Sequence, residues 1–276
     1  MTGHSTPAGW WHDCVTEVLK VASVRRNLVL AGCVAGAALA GPWLFLAAFG
    51  WLRTQGVDAT SLEVVALSQR NQTVALALMV VLGLQAYLSD AASGMLATTL
   101  AAAGPSARDG LPTAKLLFGV LSSVVLGLAC SGSAAVAVLV MGDDAGASVP
   151  FWAVSTAALV AALLLHYEFG LVVAMVTRNK GMAVAIGLMV PFFLLTVVKG
   201  VLRTITPQAS ELVDWLLPTE LASALLSWVP GGNALAQAPT SRMWLRALLL
   251  LCWLGAGAAA WIAVLRKRPL YPADQG

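Results

Sequence analysis

Three consecutive polar residues, His166, Tyr167 and Glu168, interrupt the long apolar stretch 151–176. Ionisable side chains within a membrane-spanning helix are costly to bury and point to a functional site. Glu168 lies ~12 Å from the cytoplasmic end of the stretch, at 1.5 Å per residue, which suits a proton-coupled relay. The alternative is a polar cluster that faces the bundle interior and bonds to neighbouring helices. Lys199 is not expected to pair with Glu168, because it lies roughly 15 Å higher in the next apolar stretch.

Patterns for other chemistry are missing from the sequence. The three histidines and the scattered carboxylates have no metal-ligand spacing, and no serine lies in a nucleophile-elbow sequence. The phosphate-binding loop Gly-x-x-x-x-Gly-Lys-Ser/Thr is also missing, since residues 104–110 lack the Lys-Ser/Thr pair. We therefore expect a chain that is not an enzyme and that carries no metal, ATP or other cofactor of its own.

The amino-acid composition indicates that membrane-spanning helices position His166, Tyr167 and Glu168. Of the 276 residues, 59% are hydrophobic and only 11% are charged, with a mean hydropathy of +0.83. A soluble domain carries about 25% charged residues, so long membrane-spanning stretches account for the difference. These stretches are apolar on every face, which predicts helices rather than alternating barrel strands. The net charge of +3 is too scattered for a nucleic-acid surface, and membrane lipid is the expected surrounding.

The fold class that follows is an all-α, polytopic membrane protein with six transmembrane helices. The spans are predicted at residues 28–51, 73–89, 116–141, 151–176, 181–202 and 243–265. With both termini in the cytoplasm, ten of the 16 Lys and Arg residues lie inside and six outside. Because Lys and Arg concentrate on the cytoplasmic side of membrane proteins, this orientation is the expected one.

The segments outside the spans divide the chain further. Apolar residues at helical spacing within 10–27, with basic residues at one end, predict an interfacial helix on the cytoplasmic leaflet. A second apolar run, 221–229, is too short to span and predicts an interfacial or re-entrant helix. The predicted organisation is a cytoplasmic N-terminal tail with the interfacial helix (1–27), a transmembrane domain (28–265) containing a cytoplasmic segment (90–115) and an outer segment (203–242), and a cytoplasmic C-terminal tail (266–276).

The cytoplasmic segment carries a family resemblance. It reads Asp90-Ala-Ala-Ser-Gly-Met-Leu-Ala-Thr-Thr-Leu100, followed by Gly104-Pro105-Ser-Ala-Arg108 and by Lys115. This pattern resembles the ABC-2 type permeases, which place a short coupling helix between spans two and three and a short helical hairpin before the last span. The resemblance implies that this helix contacts a separate ATPase subunit, with Lys115 as a further contact or a membrane-surface anchor. The implied contact residues are Asp90, Ser93, Gly94, Met95, Leu96, Thr98, Thr99, Leu100 and Arg108.

The resemblance implies the permease subunit of an ATP-driven exporter in the bacterial cytoplasmic (inner) membrane. Its substrate would be hydrophobic or amphipathic: a drug, an antibiotic, a peptide or a lipid. ATP and Mg²⁺ would bind to the partner ATPase, and the permease would dimerise with a second copy or a paralogue. Gly32 and Gly36 form a G-x-x-x-G pattern that favours either this dimer or packing within the chain. The alternatives are a proton-coupled secondary transporter using Glu168 and a membrane immunity or assembly factor without transport.

Overall fold

The computed structural model describes residue 15 and residues 25–56, 60–92, 107–140, 149–177, 179–206, 213–229 and 242–267. All the regular secondary structure within these ranges is helical. The helices, numbered here in chain order, are α1 (Arg25–Thr54), α2 (Ser61–Arg70), α3 (Thr73–Ala92), α4 (Ala107–Val140), α5 (Val149–Thr177), α6 (Lys180–Met189), α7 (Leu195–Ile205), α8 (Pro218–Leu226) and α9 (Met243–Lys267). A π-helical turn, Val190–Leu194, joins α6 to α7.

Five helical stretches are long and apolar enough to cross a membrane, which confirms a multi-pass helical membrane protein. They are Ser61–Ser89, Pro112–Val140, Val149–Thr177, Lys180–Ile205 and Met243–Val264. We call them the second to sixth spans. The first span corresponds to α1, where the apolar stretch Ala35–Trp51 is shorter than the other five. That α1 crosses the membrane, which would bring the number of spans to six, therefore stays a prediction.

The second span, the shortest one predicted and therefore open to extension upstream, begins at Ser61 rather than at the approximate start of residue 73. A capping box starts α2: the Thr60 hydroxyl accepts from the backbone N–H of Glu63, whose carboxylate accepts from the Thr60 backbone. The break between α2 and α3 also satisfies its polar groups within the protein. Asn71 donates to the Leu67 carbonyl at 2.8 Å, and Gln72 donates to the Ala38 carbonyl on α1 at 3.3 Å. Irregular backbone at membrane depth requires such partners.

Helix α5 is the centre of the bundle and packs against α2, α3, α4, α6, α8 and α9. The second span runs in the same direction as α5, because Gln69 meets Ser155 and, farther along both helices, Gly83 meets Tyr167. At this crossing a Cβ atom on Gly83 would overlap the Tyr167 carbonyl. Likewise, a Cβ atom on Gly170 would overlap the Val80 carbonyl. The two backbones are thus in direct contact, as small residues allow in membrane helices.

Hydrogen bonds between side chains connect the bundle near the predicted outer end. Gln69 on α2 bonds to Ser155 on α5 and to Ser131 on α4. Ser133 donates to the Leu39 carbonyl on α1 at 2.7 Å and accepts from the Trp43 indole at 3.1 Å. The sequence Ser131-Gly-Ser133 therefore joins α4 to α1 and α2, and through Gln69 indirectly to α5. Its glycine faces open space.

Several predicted features lie wholly or largely outside the described residues. They include the interfacial helix at 10–27, of which only residues 15 and 25–27 are described, and the coupling segment at 93–106. The same holds for the C-terminal tail from residue 268 onward. Helix α3 ends at Ala92 and α4 begins at Ala107, so the connection that is predicted to be cytoplasmic runs between these two residues.

We expect Gly170→Ala to destabilise the bundle by about 2 kcal/mol, since the new methyl group would meet backbone that cannot rotate away. The matched control is Gly132→Ala on α4, where nothing lies within 4 Å of the Cβ position. Replacing glycine by alanine in a helix stabilises it by about 0.5–1 kcal/mol when no clash opposes it. The free energy of unfolding in detergent micelles measures both effects. Equal stability of the two variants would contradict the backbone contact at Gly170.

Candidate functional site

His166, Tyr167 and Glu168 are all buried, but they face three different neighbours. Consecutive residues on an α-helix point about 100° apart, so the three side chains cannot form one cluster. Tyr167 faces α4, where its hydroxyl donates to the Lys115 carbonyl at 2.8 Å and its ring occupies the space above Gly119. Tyr167 is therefore a packing and bonding residue, and it lies away from the other two.

His166 faces the π-helical turn of the fifth span. Its ring stacks on Phe192, with centroids 5.6 Å apart and an interplanar angle of 26°. Its Nδ1 lies 2.7 Å from the Ala162 carbonyl one turn earlier on α5. A carbonyl oxygen can only accept, so Nδ1 carries a hydrogen and donates it to Ala162.

Glu168 faces the sixth span. Its carboxylate lies so close to Gly257 on α9 that a Cβ atom there would overlap Oε2. Glu168 is 4% exposed, and Oε2 has no hydrogen-bond partner among the described residues. Ion pairs within the described ranges also leave Glu168 out. A buried carboxyl oxygen without a partner is costly. Other buried polar atoms, such as Ser68 Oγ and Trp261 Nε1, also lack a partner within the described ranges, but they belong to side chains that carry no charge.

Glu168 and His166 line the same cavity, which has a volume of about 570 Å³. This volume falls within the roughly 300–1,000 Å³ of small-molecule sites. One wall is the π-helical turn with the start of α7, and the opposite wall is α9 with Trp253. The fifth span packs on α5 through α6 and through the stack of Phe192 on His166, and α9 packs on α5 directly. The fifth and sixth spans pack little on one another, so the cavity occupies the gap between them. The sequence did not single out this gap.

The cavity follows α5 from Ala162 to Val172, a height of ~15 Å at 1.5 Å per residue. Arg70 also lines it, at the predicted outer end. The contact between Gln69 and Ser155 places Arg70 beside residue 156, so its backbone lies ~18 Å along α5 from Glu168. The cavity is thus polar at its outer end, apolar along its walls and acidic in the middle of the bundle.

Helix α8 contributes a further wall, through Pro218, Thr219 and Ala222 among others. An outer ion cluster, made of Lys199, Arg203, Asp214 and Glu220, holds this element to α7. Lys199 is only 9% exposed, and its ammonium group contacts Asp214 at 2.8 Å and also pairs with Glu220. Arg203 contacts Asp214 at 3.7 Å. Lys199 thus pairs with the outer segment and not with Glu168, as expected.

A second set of contacts holds the same outer segment to α9. The Arg246 guanidinium lies 4.6 Å above the Trp215 ring, a cation–π contact. The Trp253 indole donates to the Leu216 carbonyl at 2.9 Å. The outer segment therefore bridges the fifth and sixth spans across one end of the cavity.

Lys115 has a different place from the one expected. It is fully buried, and its ammonium group donates to the Ala86 carbonyl on α3. In this arrangement it joins α3 to α4 inside the bundle. Of the implied ATPase contacts, residues 93–100 lie outside the described residues, as do the side chains of Asp90 and Arg108.

We expect Lys199→Met to loosen the outer segment, because it removes the buried cation that Asp214 and Glu220 share and leaves only the exposed Arg203 beside Asp214. Breaking a buried ion pair in this way costs about 3–5 kcal/mol. Amide hydrogen exchange across residues 213–226 should therefore become faster than in the unmodified protein. Arg203→Gln serves as the control, since Arg203 is 57% exposed and an exposed pair contributes at most about 1 kcal/mol. A variant at Lys199 with unchanged exchange would contradict a stabilising role for the cluster.

Comparison with known proteins assigns no family to this geometry. Neither a protein-family model nor a curated protein sequence matches the chain. The functional interpretation therefore depends on the chemistry of the cavity and on the placement of the helices around it.

Proposed function

We propose that the chain is the permease subunit of an ATP-driven ABC-2 type exporter that moves a hydrophobic or amphipathic substrate. The observation that carries this proposal is the outer segment 213–226, which is helical at 213–216 and again in α8. It lies between the fifth and sixth spans and is held to both of them. This arrangement agrees with the short helical hairpin that the family resemblance implies.

The proposed contact with the ATPase is the connection between α3 and α4. Both helices extend to this connection as regular helices, with α3 ending at Ala92 and α4 beginning at Ala107. Buried Lys115 and Tyr167 connect α3, α4 and α5 near that end. A force applied to the connection would therefore act on the central helix, and through it on the cavity.

The proposed dimer rests on exposed apolar surface. The fifth and sixth spans are mostly exposed within the single chain, as lipid-facing or partner-facing helices must be. Gly32 and Gly36 on α1 have no described atom within 4 Å of their Cβ positions. Packing among the described helices does not account for this G-x-x-x-G pattern, which favours a second copy or a paralogue as its partner. In this proposal both termini are cytoplasmic and the membrane is the bacterial inner membrane.

The direct test is gentle purification of the tagged chain from its native membrane. We expect an ATPase with a phosphate-binding loop to copurify, because this chain lacks that loop. Mass spectrometry of the purified material identifies the partner. Loss of every such ATPase across several mild detergents and nanodiscs would count against the exporter proposal and favour a factor without transport.

A variant within the coupling segment sharpens this test. We expect Leu100→Asp to abolish stimulation of ATP hydrolysis by the permease, while the spans remain folded. Leu100→Met is the matched control, since it keeps an apolar side chain of similar volume. ATP hydrolysis by the reconstituted complex is the measurement. Normal stimulation in the Asp variant would show that this residue does not contact the ATPase.

A second candidate function is proton-coupled secondary transport, and the unpartnered Oε2 of Glu168 favours it. This candidate predicts that a proton uncoupler abolishes transport in cells with normal ATP levels, and that Glu168→Gln has the same effect. Glu63→Gln is the control, because Glu63 is also buried but belongs to the α2 capping box, which glutamine preserves. Transport that survives the uncoupler and stops on ATP depletion would exclude it.

A further inference from the structure

The polar side chains deep in the cavity offer hydrogen-bond acceptors. Glu168 supplies its carboxyl oxygens, of which Oε2 has no partner among the described residues, and His166 lines the same cavity with Nδ1 directed at the Ala162 carbonyl. The Thr196 hydroxyl, which also lines the cavity, already donates to the Phe192 carbonyl at 3.2 Å. Aromatic and small apolar side chains form the rest of the inner walls. A ligand that fits this chemistry donates hydrogen bonds at one end and is apolar elsewhere.

The cations of the described residues do not fill this role. Lys199 is occupied by Asp214 and Glu220, and Arg246 lies over Trp215. Lys115 bonds to the Ala86 carbonyl on the far side of α5. Arg70 lines the cavity but lies ~18 Å from Glu168 along α5, beyond hydrogen-bond reach. A cation that pairs with Glu168 would therefore come from outside these residues.

The position of the cavity indicates how such a ligand arrives. The gap between the fifth and sixth spans lies between two helices that are mostly exposed along their apolar length. On the α9 side the lining residues Ala256, Gly257 and Ala260 are small, and Trp253 is 43% exposed. A molecule dissolved in the hydrocarbon core can thus enter the cavity sideways, without crossing the outer segment, and lie beside the buried Glu168 side chain.

We propose that this cavity binds a lipophilic amine, whose ammonium group pairs with Glu168 and whose apolar body packs between Phe192 and Trp253. A charge-assisted hydrogen bond to a buried carboxylate fixes the amine end, and the aromatic side chains cover the remainder. Gly257 allows this because any larger residue there would occupy the space of the carboxylate. Binding is a property of this chain alone. That the amine is also the exported substrate rests on the proposed function.

The test uses the full-length chain in nanodiscs of uncharged phosphatidylcholine, without an ATPase. The probes are a long-chain primary alkylamine carrying a diazirine and the matching alkyl alcohol. After illumination, mass spectrometry quantifies labelling of α5 and α9 peptides as the probe concentration is raised. We expect the amine to bind these positions at least about tenfold more tightly than the alcohol, in line with a hydrogen bond to a charged group.

Two pairs of variants connect the binding to the cavity. Glu168→Gln should weaken amine binding at least about tenfold and bring it to the level of the alcohol, whereas Glu63→Gln should leave it unchanged. Ala260→Phe should block labelling by filling the cavity from an exposed position. The same substitution at Ala259, which is exposed but outside the cavity, should not.

The possible outcomes separate this inference from the exporter proposal. Equal labelling by the amine and the alcohol, or amine labelling that Glu168→Gln and Ala260→Phe leave intact, would overturn the inference. If Glu168→Gln does not fold, the Ala260 and Ala259 pair together with the alcohol still decides the question. Specific amine binding without a copurifying ATPase would support the site and reject the exporter. A copurifying ATPase without specific amine binding would reject the amine site and leave the exporter proposal in place.

Discussion

Two glycines, Gly83 and Gly170, let α3 and α5 approach until the backbone of each helix fills the space of a side chain of the other. In a bilayer the lipid tails are as apolar as the helix surfaces, so association depends on close packing and on hydrogen bonds between helices. This crossing supplies the closest packing among the described residues. Tyr167 extends it to α4, where its ring lies over Gly119. The other helices are arranged around the pair.

The cavity is a consequence of this arrangement. The fifth and sixth spans both pack on α5, and each uses a limited part of its surface to do so. They stay apart because Phe192 and the π-helical turn occupy one side, while the outer segment bridges them only at one end. Proline at position 191 removes a backbone donor, and π-helical turns occur often at functional sites. The π-helical turn and the outer segment therefore determine where the gap lies.

Apolar length predicted the third to sixth spans to within a few residues, because crossing a bilayer requires it. The start of the second span was missed, since Glu63, Ser68 and Gln69 are typical of an outer loop. In the structure they are buried, and capping and interhelical hydrogen bonds satisfy Glu63 and Gln69. The isolated position of Glu168 in an apolar stretch identified it as a candidate residue. Its contact with Gly257 depends on packing between distant segments, which one sequence does not reveal.

Lys199 and Glu168 show two ways in which one bundle holds a buried charge. Lys199 has two carboxylate partners, so its charge is compensated within the chain and contributes to structure. The Oε2 atom of Glu168 has no partner among the described residues, and the packing of α3 on α5 must offset that cost. A purely structural role would be served as well by an apolar side chain of the same volume. The proposed amine site accounts for a carboxyl group at this position, with the gap beside it as the place of the ligand.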